Sequence, residues 1–315
     1  MTKSEIGKII RQRRRELGIK QKVLCHGICS ESMLSKTESG TAPGDPVVLE
    51  MLLERLGFGS EILGEVNDSS DYIIRQKIRE ANQADRMGDR DKAWKIMNSL
   101  ADGYDGFSAA NKQRYKTLET VMLHEDGKIT DSERLARLEE SLRLTVKEYS
   151  LHSLPPLMTK TEIQILSYIA NTYHYMGDNG TAVKILFHAK KFIEEFYIDK
   201  MASAIELSDI CYNLSKYLAL EDRYDEAIDA ARQSIECHEY ARYYEGLPEC
   251  MYSCAWSLSR RNKADDRDKA KKLAIEARAL CNSKIIHADT LPSQIDNFLA
   301  MLHRLESPHS FSRRA

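Results

Sequence analysis

Long apolar runs are missing from this 315-residue chain: none approaches the ~18 residues that a membrane-spanning helix needs. Glycine (15) and proline (7) are sparse. No stretch alternates β-branched with polar residues, so neither a sandwich nor a barrel fits. The seven cysteines are irregularly spaced and form no disulfide framework, which reads as reduced thiols. Cys250 and Cys254 share a helix face, and Cys25-His26-x-x-Cys29 has the look of a metal corner. Neither has the paired Cys/His partners of a zinc site, so buried thiols are the simpler reading. The nine histidines show no H-E-x-x-H spacing, no glycine loop is built to cradle phosphate, and no Ser or Cys has a nucleophile signature. The expectation is a non-enzymatic protein without metal or cofactor. The first residues (MTKSEIGKIIRQRRRELG) place charges at helical spacing and lack a signal-peptide core, which predicts a cytoplasmic protein.

What is present is helical periodicity and an uneven charge. Apolar residues make up 42% and charged residues 30%, ordinary for a globular protein, and the length suggests about two domains at ~150 residues each. The net charge is -2. Residues 1–40 carry nine Lys/Arg against four acids, a net +5, which leaves -7 on the rest. A small basic end sits on a larger acidic body.

The basic end divides into short helices. One covers 3–17. Gln21 opens a second, Gly27-Ile28-Cys29 turns, and Ser30 is placed to cap a third over 31–38 that Gly40 closes. A fourth follows Pro46. Ile6, Ile10, Leu17, Leu24, Ile28, Leu34, Leu49, Leu52 and Leu56 would form its core. The sequence Gln21, Leu24-Cys25, then Ser32-Met33-Leu34-Ser35-Lys36-Thr37-Glu38-Ser39-Gly40 resembles the helix-turn-helix domain of phage repressors (the Cro/C1 or XRE type). The resemblance implies that the third helix enters a major groove. Glu31, Ser32 and Ser35 would meet base edges, and Lys36 base or phosphate. Gln21 would bond phosphate from the start of the second helix, where the dipole favours an anion. Arg13, Arg15, Lys20 and Lys22 add phosphate charge. The resemblance also implies a structural ion pair between Arg14 and Glu38. Cys29 stands where such domains carry glycine, and the turn is one residue short. The plainer alternative is a basic helical bundle.

The body repeats. Ala93, Ala182, Ala227 and Ala270 each open the second helix of a pair, at spacings of 89, 45 and 43. The first gap is close to double, so a unit is hidden near 138, at LARLEESLRL. Turns rich in Gly or Asp join the helices: MGDRDKAWKIM, MGDNGTAVKIL, LEDRYDEAIDA. The pattern resembles the tetratricopeptide repeat, with Ile169, Ala170, Tyr173, Gly177, Ala182, Leu186 and Ala189 in one clear unit. Leu214, Ser215, Ala227 and Ala231 mark a second. The expected fold is all-α: a helix-turn-helix domain over 1–64, a linker over 65–72, a right-handed TPR-like solenoid over 73–306 and a flexible tail over 307–315.

Together these parts resemble the peptide-responsive quorum-sensing regulators of Gram-positive bacteria, the RRNPP group. The motifs ICSESMLSKTESG (28–40), YNLSKYLALEDRYDEAI (212–228) and YIANTY (168–173) carry the likeness. It implies a homodimeric transcription regulator that binds double-stranded DNA at a pseudo-palindromic operator and a short re-imported signalling peptide, away from any membrane. Asn171, Asn213 and Asn82 fall on the groove side of the first helices of their units. An amide both donates and accepts, so it can pair with a peptide backbone of any sequence. In the similar family, Asn at the places of 171 and 213 holds the peptide main chain. Lys216 would meet a peptide carboxylate. Arg79, Arg86, Tyr175, Tyr212 and Tyr252 complete the candidates; each is otherwise a solvated or packed helix residue. Peptide binding would reshape the solenoid and re-space two DNA-binding domains. Two other readings stay open: a TPR scaffold that sequesters a signalling protein, and a phage-type peptide sensor that controls lysogeny.

Overall fold

The computed structural model describes residues 3–42, 44–58, 70–151, 154–198, 200–261, 263–282 and 290–306. Among them are fifteen α-helices, one 3-10 turn (Tyr104–Gly106) and no β-strand. The chain divides into two compact units, residues 1–177 with 191–199, and residues 178–190 with 200–315.

Four helices open the first unit: α1 (Lys3–Glu16), α2 (Gln21–Cys25), α3 (Glu31–Ser39) and α4 (Pro46–Arg55). Ser30 caps α3, its hydroxyl accepting from the Met33 N–H at 3.1 Å. Gly40 ends α3 in the left-handed conformation (φ 74°). Asp45 caps α4 by accepting from Val47 and Val48, with Pro46 at the first helical position. Ile6, Ile10, Leu24, Leu34, Leu49, Leu52 and Leu56 are buried, and Leu17 and Ile28 half-buried. The α1–α3 crossing is tight at Gly7: a Cβ there would lie 2.0 Å from the Thr37 carbonyl oxygen.

Helical hairpins follow: α5 (Ser70–Arg86) with α6 (Arg90–Ala101), and α7 (Ala109–Glu125) with α8 (Asp131–Arg143); next in the chain come α9 (Lys160–Tyr175) and α10 (Asn179–Phe196). The second unit continues with α11 (Lys200–Leu220) and α12 (Tyr224–Ala241), α13 (Leu247–Arg261) and α14 (Asp266–Cys281), and α15 (Leu291–Glu306). Of the expected linker, 65–69 lie outside the described residues and 70–72 form the first turn of α5; the expected tail, 307–315, also lies outside them.

Each hairpin turn needs one left-handed residue. Gly88, Gly127 and Gly177 supply it three times, and Asp222 and Asp265 twice. Ala93, Ala182 and Ala227 are the fourth residues of α6, α10 and α12, and Ala270 the fifth of α14; all four are fully buried. The hidden unit near 138 is α7–α8. Its fourth residue in α8 is Arg134, not alanine, and its guanidinium lies over the Tyr175 ring at 5.5 Å. The core of the first hairpins gathers Ile78, Ala81, Met97, Tyr115, Leu118 and Met122. In the second unit Ile228, Met251, Leu258, Ala274, Ile295 and Phe298 join one cluster.

Within the first unit α4 is seated on the repeats. Val47 and Met51 pack against Ala110 of α7. Glu54 accepts from the Lys160 N–H at 3.0 Å, and Gly57 O accepts from the Ile198 N–H at 3.0 Å. The Arg55 guanidinium donates to the Leu24 carbonyl at 3.1 Å, to the His26 carbonyl, and to Glu162 at 3.0 Å. Glu162 is fully buried and also accepts from Thr145 at 2.6 Å and from the Thr159 N–H at 2.6 Å. A buried ion pair persists only when its remaining lone pairs are satisfied in this way.

Candidate functional site

The third helix has two faces. Leu34, Thr37 and Glu38 are buried, whereas Glu31, Ser32, Ser35 and Lys36 are exposed. Met33, on the exposed side, offers an apolar side chain. Arg15, Lys20 and Lys22 are exposed around the start of α2, and Arg11, one helical turn before Arg15, lines the same shallow concavity with Ser35 and Glu31. Arg13 is half-buried; its Nε donates to the Leu56 carbonyl at 3.5 Å and Glu16 lies 3.5 Å away, so it is partly engaged already. Arg11 escaped sequence reasoning, although its four-residue spacing from Arg15 was the available signal.

Glu38 orders this surface from beneath. Arg14 Nε and Nη2 donate to its two oxygens at 2.6 and 2.8 Å, and Arg14 Nη1 to the Ile19 carbonyl at 2.9 Å. The hydrogen bond to Glu38 raises the Arg14 pKa. Gln21 Nε2 also donates to Glu38, at 2.8 Å. One of the two Gln21 amide hydrogens is thereby spent inside the protein, which leaves one for a phosphate. The turn before α3 places its left-handed residue at Gly27 (φ 73°), not at 29. A Cβ at Gly27 would lie 1.7 Å from the Thr145 carbonyl oxygen, so both backbone conformation and close approach demand glycine.

The candidates on the repeats fall in several places. Arg79 and Asn82 on α5 line a cavity of about 180 Å³ together with Arg75, Arg114 of α7, and Gln164 and Tyr168 of α9. Gln164 Nε2 donates to the Tyr168 hydroxyl at 3.1 Å. Arg86 is exposed at the end of α5, and Asn171 is half-buried on α9, one turn beyond Tyr168. Tyr175 stacks on His124 at 5.9 Å and carries Arg134 on its face. In the second unit Tyr212 and Asn213 are neighbours on α11 and Lys216 lies one turn beyond them, all half-buried. Lys216 Nζ lies 5.2 Å from the Tyr212 ring centroid and 6.0 Å from that of Tyr217. Burial lowers its pKa, and no carboxylate of the described residues pairs with it. Burial likewise raises the Tyr212 phenol. Tyr252 meets Phe298 edge-on at 5.6 Å and belongs to the packing of the second unit. Arg75, Arg114, Gln164 and Tyr168 were missed in the sequence. Arg114 lies in the irregular stretch 109–149, where the repeat register cannot be read.

Sequence comparison finds no matching family model and no matching curated protein. Structural comparison finds Bacillus thuringiensis PlcR, solved in complex with the peptide PapR7 and DNA, at TM-score 0.57 and 17% identity, over 94% of this chain and 98% of that one. The chain has a PlcR-like fold. The apo form of the competence regulator ComR from Streptococcus vestibularis matches at TM-score 0.50 and 15% identity, over 95% of this chain and 98% of its own. A Pyrococcus horikoshii STAND protein with a tetratricopeptide repeat sensor, PH0952, matches at TM-score 0.51 and 16% identity, over 88% of this chain and 39% of its own.

In this PlcR-like fold the thiols are packing groups. Cys250 and Cys254 are buried, and Cys250 donates to the Gly246 carbonyl at 3.1 Å. Burial pushes their thiols up to about 12 and about 11, away from reactive thiolate character. Burial pushes Cys29 up to about 11 as well. The described residues contain no group of three or more His, Cys, Asp or Glu placed to hold a metal, and no helix long and apolar enough to cross a membrane.

Proposed function

We propose that this chain is a transcription regulator of the RRNPP type, most like PlcR, whose DNA binding is switched by a short signalling peptide. The observation that carries the reading is the exposed face of α3 (Glu31, Ser32, Ser35, Lys36), rimmed by Arg11, Arg15, Lys20 and Lys22 and fused to TPR-like hairpins. A capped helix with short polar side chains and a cationic rim suits a major groove: side chains at base edges, cations on phosphates. Met33 suits a thymine methyl. Residues 1–64 would bind DNA, and 73–306 would bind the peptide and dimerise. Two such modules related by a two-fold axis would read a pseudo-palindrome. Asn82, Asn171 and Asn213 would take peptide backbone, with Lys216 and Arg79 for carboxylates. The function so read is non-enzymatic, needs no cofactor and is exercised in the cytoplasm.

Native mass spectrometry on the protein purified from its own host at high cell density tests the peptide reading. The expected species is a dimer carrying a peptide of roughly 5–10 residues, lost in Asn171→Ala and Asn213→Ala. A dimer that carries a folded protein instead would favour sequestration, and a bare monomer would contradict the dimer switch.

A further inference from the structure

The cavity between α5, α7 and α9 holds a guanidinium with unspent hydrogen bonds. Arg114 is largely buried, with 13% of its side chain exposed. Of its five donors, Nη1 makes one long bond to Asn111 at 3.4 Å, and Nη2 stands 3.9 Å from Glu50 Oε2. Burial lowers the Arg114 pKa, which marks an under-compensated cation. Arg75 donates to the same Glu50 Oε2. The other Glu50 oxygen is buried without a hydrogen-bond partner among the described residues. Glu54 of α4 is the acid that acts most strongly on Arg114, but burial and the Glu50 charge push its own carboxyl up to about 7. Asp71, a further acid near Arg114, accepts from Asn111 at 3.1 Å. Arg79 reaches the cavity from α5 and forms no ion pair with any described residue. The acids of α4 thus leave Arg114 poorly compensated, and Arg75 and Arg114 line a cavity that a third arginine, Arg79, enters.

We propose that this cavity is a carboxylate subsite of the peptide ligand, and that the bound carboxylate competes with Glu50 for Arg75 and Arg114. The inference rests on the peptide reading and deepens it. About 180 Å³ holds one acidic side chain or one C-terminal residue, not a whole peptide. Gln164 and Tyr168 supply neutral polar contacts, and Ile78 and Leu118 an apolar floor. A carboxylate is matched to the guanidinium fork. Its arrival adds a negative charge near Glu50, which is 1% exposed and already neighbours Glu54. Glu50 is an α4 residue, so filling the subsite weakens one of the ion pairs that, with Arg55–Glu162, tie the helix-turn-helix module to the repeats. Removing the Glu50 charge takes away the competitor and must therefore strengthen ligand binding.

The test is affinity selection by the full-length protein from synthetic random hexapeptide pools, read by mass spectrometry. Four matched pools are used: free C-terminus or amidated, each with or without Asp and Glu. Retention should fall at least tenfold when the carboxylate in use is removed, and the pool in which it falls identifies side chain or C-terminus. Arg79→Gln, at an exposed position, and Arg114→Gln should abolish that discrimination. Glu50→Gln should raise retention of acid-bearing peptides several-fold. Circular dichroism checks that each variant folds; if Arg114→Gln does not, Arg79→Gln carries the test. Equal retention of all four pools overturns the subsite and leaves the peptide reading standing. Retention of none overturns both. Unchanged retention in Glu50→Gln overturns the competition.

Discussion

Arg55 and Glu162 lie 107 positions apart in sequence and meet in a buried ion pair at 3.0 Å. Their side chains are 4% and 0% exposed. The pair joins the last turn of α4 to the first turn of α9, and so fixes the helix-turn-helix module on the repeats within the first unit. Arg55 at the same time closes the end of α2 through the carbonyls of Leu24 and His26. One side chain therefore holds both the inside of the module and its seat.

Removing one partner leaves a buried charge unpaired. Arg55→Ala or Glu162→Ala should each cost about 3–5 kcal/mol in urea denaturation. The double change Arg55→Met with Glu162→Leu should cost clearly less than either single change, because it leaves no stranded charge. Equal costs for single and double variants would contradict the pair's place in holding α4.

Glu54 predicts a pH dependence. Burial, reinforced by the neighbouring Glu50 charge, pushes its carboxyl up to about 7. A carboxyl raised in the folded state stabilises the fold while it is protonated. That stability is full below its ordinary value near 4.5 and is lost as pH rises through about 7. Glu54→Gln keeps the acceptor for the Lys160 N–H without the charge. It should therefore stabilise the protein by about 1–3 kcal/mol at pH 8 and by little at pH 5. Thermal melts at the two pH values check this; an equal effect at both would contradict it.

Two glycines separate conformation from contact. Gly177 (φ 85°) has open space around its missing Cβ, so Gly177→Ala should cost about 1 kcal/mol. Gly27 (φ 73°) adds a 1.7 Å approach to the Thr145 carbonyl oxygen, and Gly27→Ala should cost about 2–4 kcal/mol. Equal costs in urea denaturation would mean that the turn before α3 is not seated on Thr145.

The Arg14–Glu38 pair, 12% and 3% exposed, is bidentate and receives Gln21 as well. Glu38→Gln should cost about 2 kcal/mol, between an exposed pair and a fully buried one. It should also weaken binding to a selected DNA duplex, since α3 loses its tie to α1. Lost stability with unchanged duplex affinity would show that the tie does not orient α3.

Local signals were legible in the sequence. Ser30, Gly40 and the Ser-x-x-Ser-x-x-Glu-x-Gly run mark α3 because caps and left-handed ends depend on residue type at fixed offsets. Ala93, Ala182, Ala227 and Ala270 mark the second helices because close crossings admit only small side chains. The α7–α8 hairpin was blurred because Arg134 replaces that alanine. Pairings with no fixed offset were invisible: Glu50 with Arg75 and Arg114, Glu54 with Lys160, and Glu162 with Arg55 and Thr145. The Gln21–Glu38 bond was equally invisible: one of the Gln21 amide hydrogens serves Glu38, and the other stays available for the expected phosphate.

The central claim is tested most directly by duplex binding of the full-length protein across a salt series, with and without the peptide recovered from selection. The duplex would come from a random-sequence selection. The account predicts an affinity that falls steeply with salt, a slope reduced by about one in Lys36→Ala, and a shift in affinity of at least five-fold on adding the peptide. An affinity that ignores the peptide, with a salt slope that Lys36→Ala leaves unchanged, would contradict it.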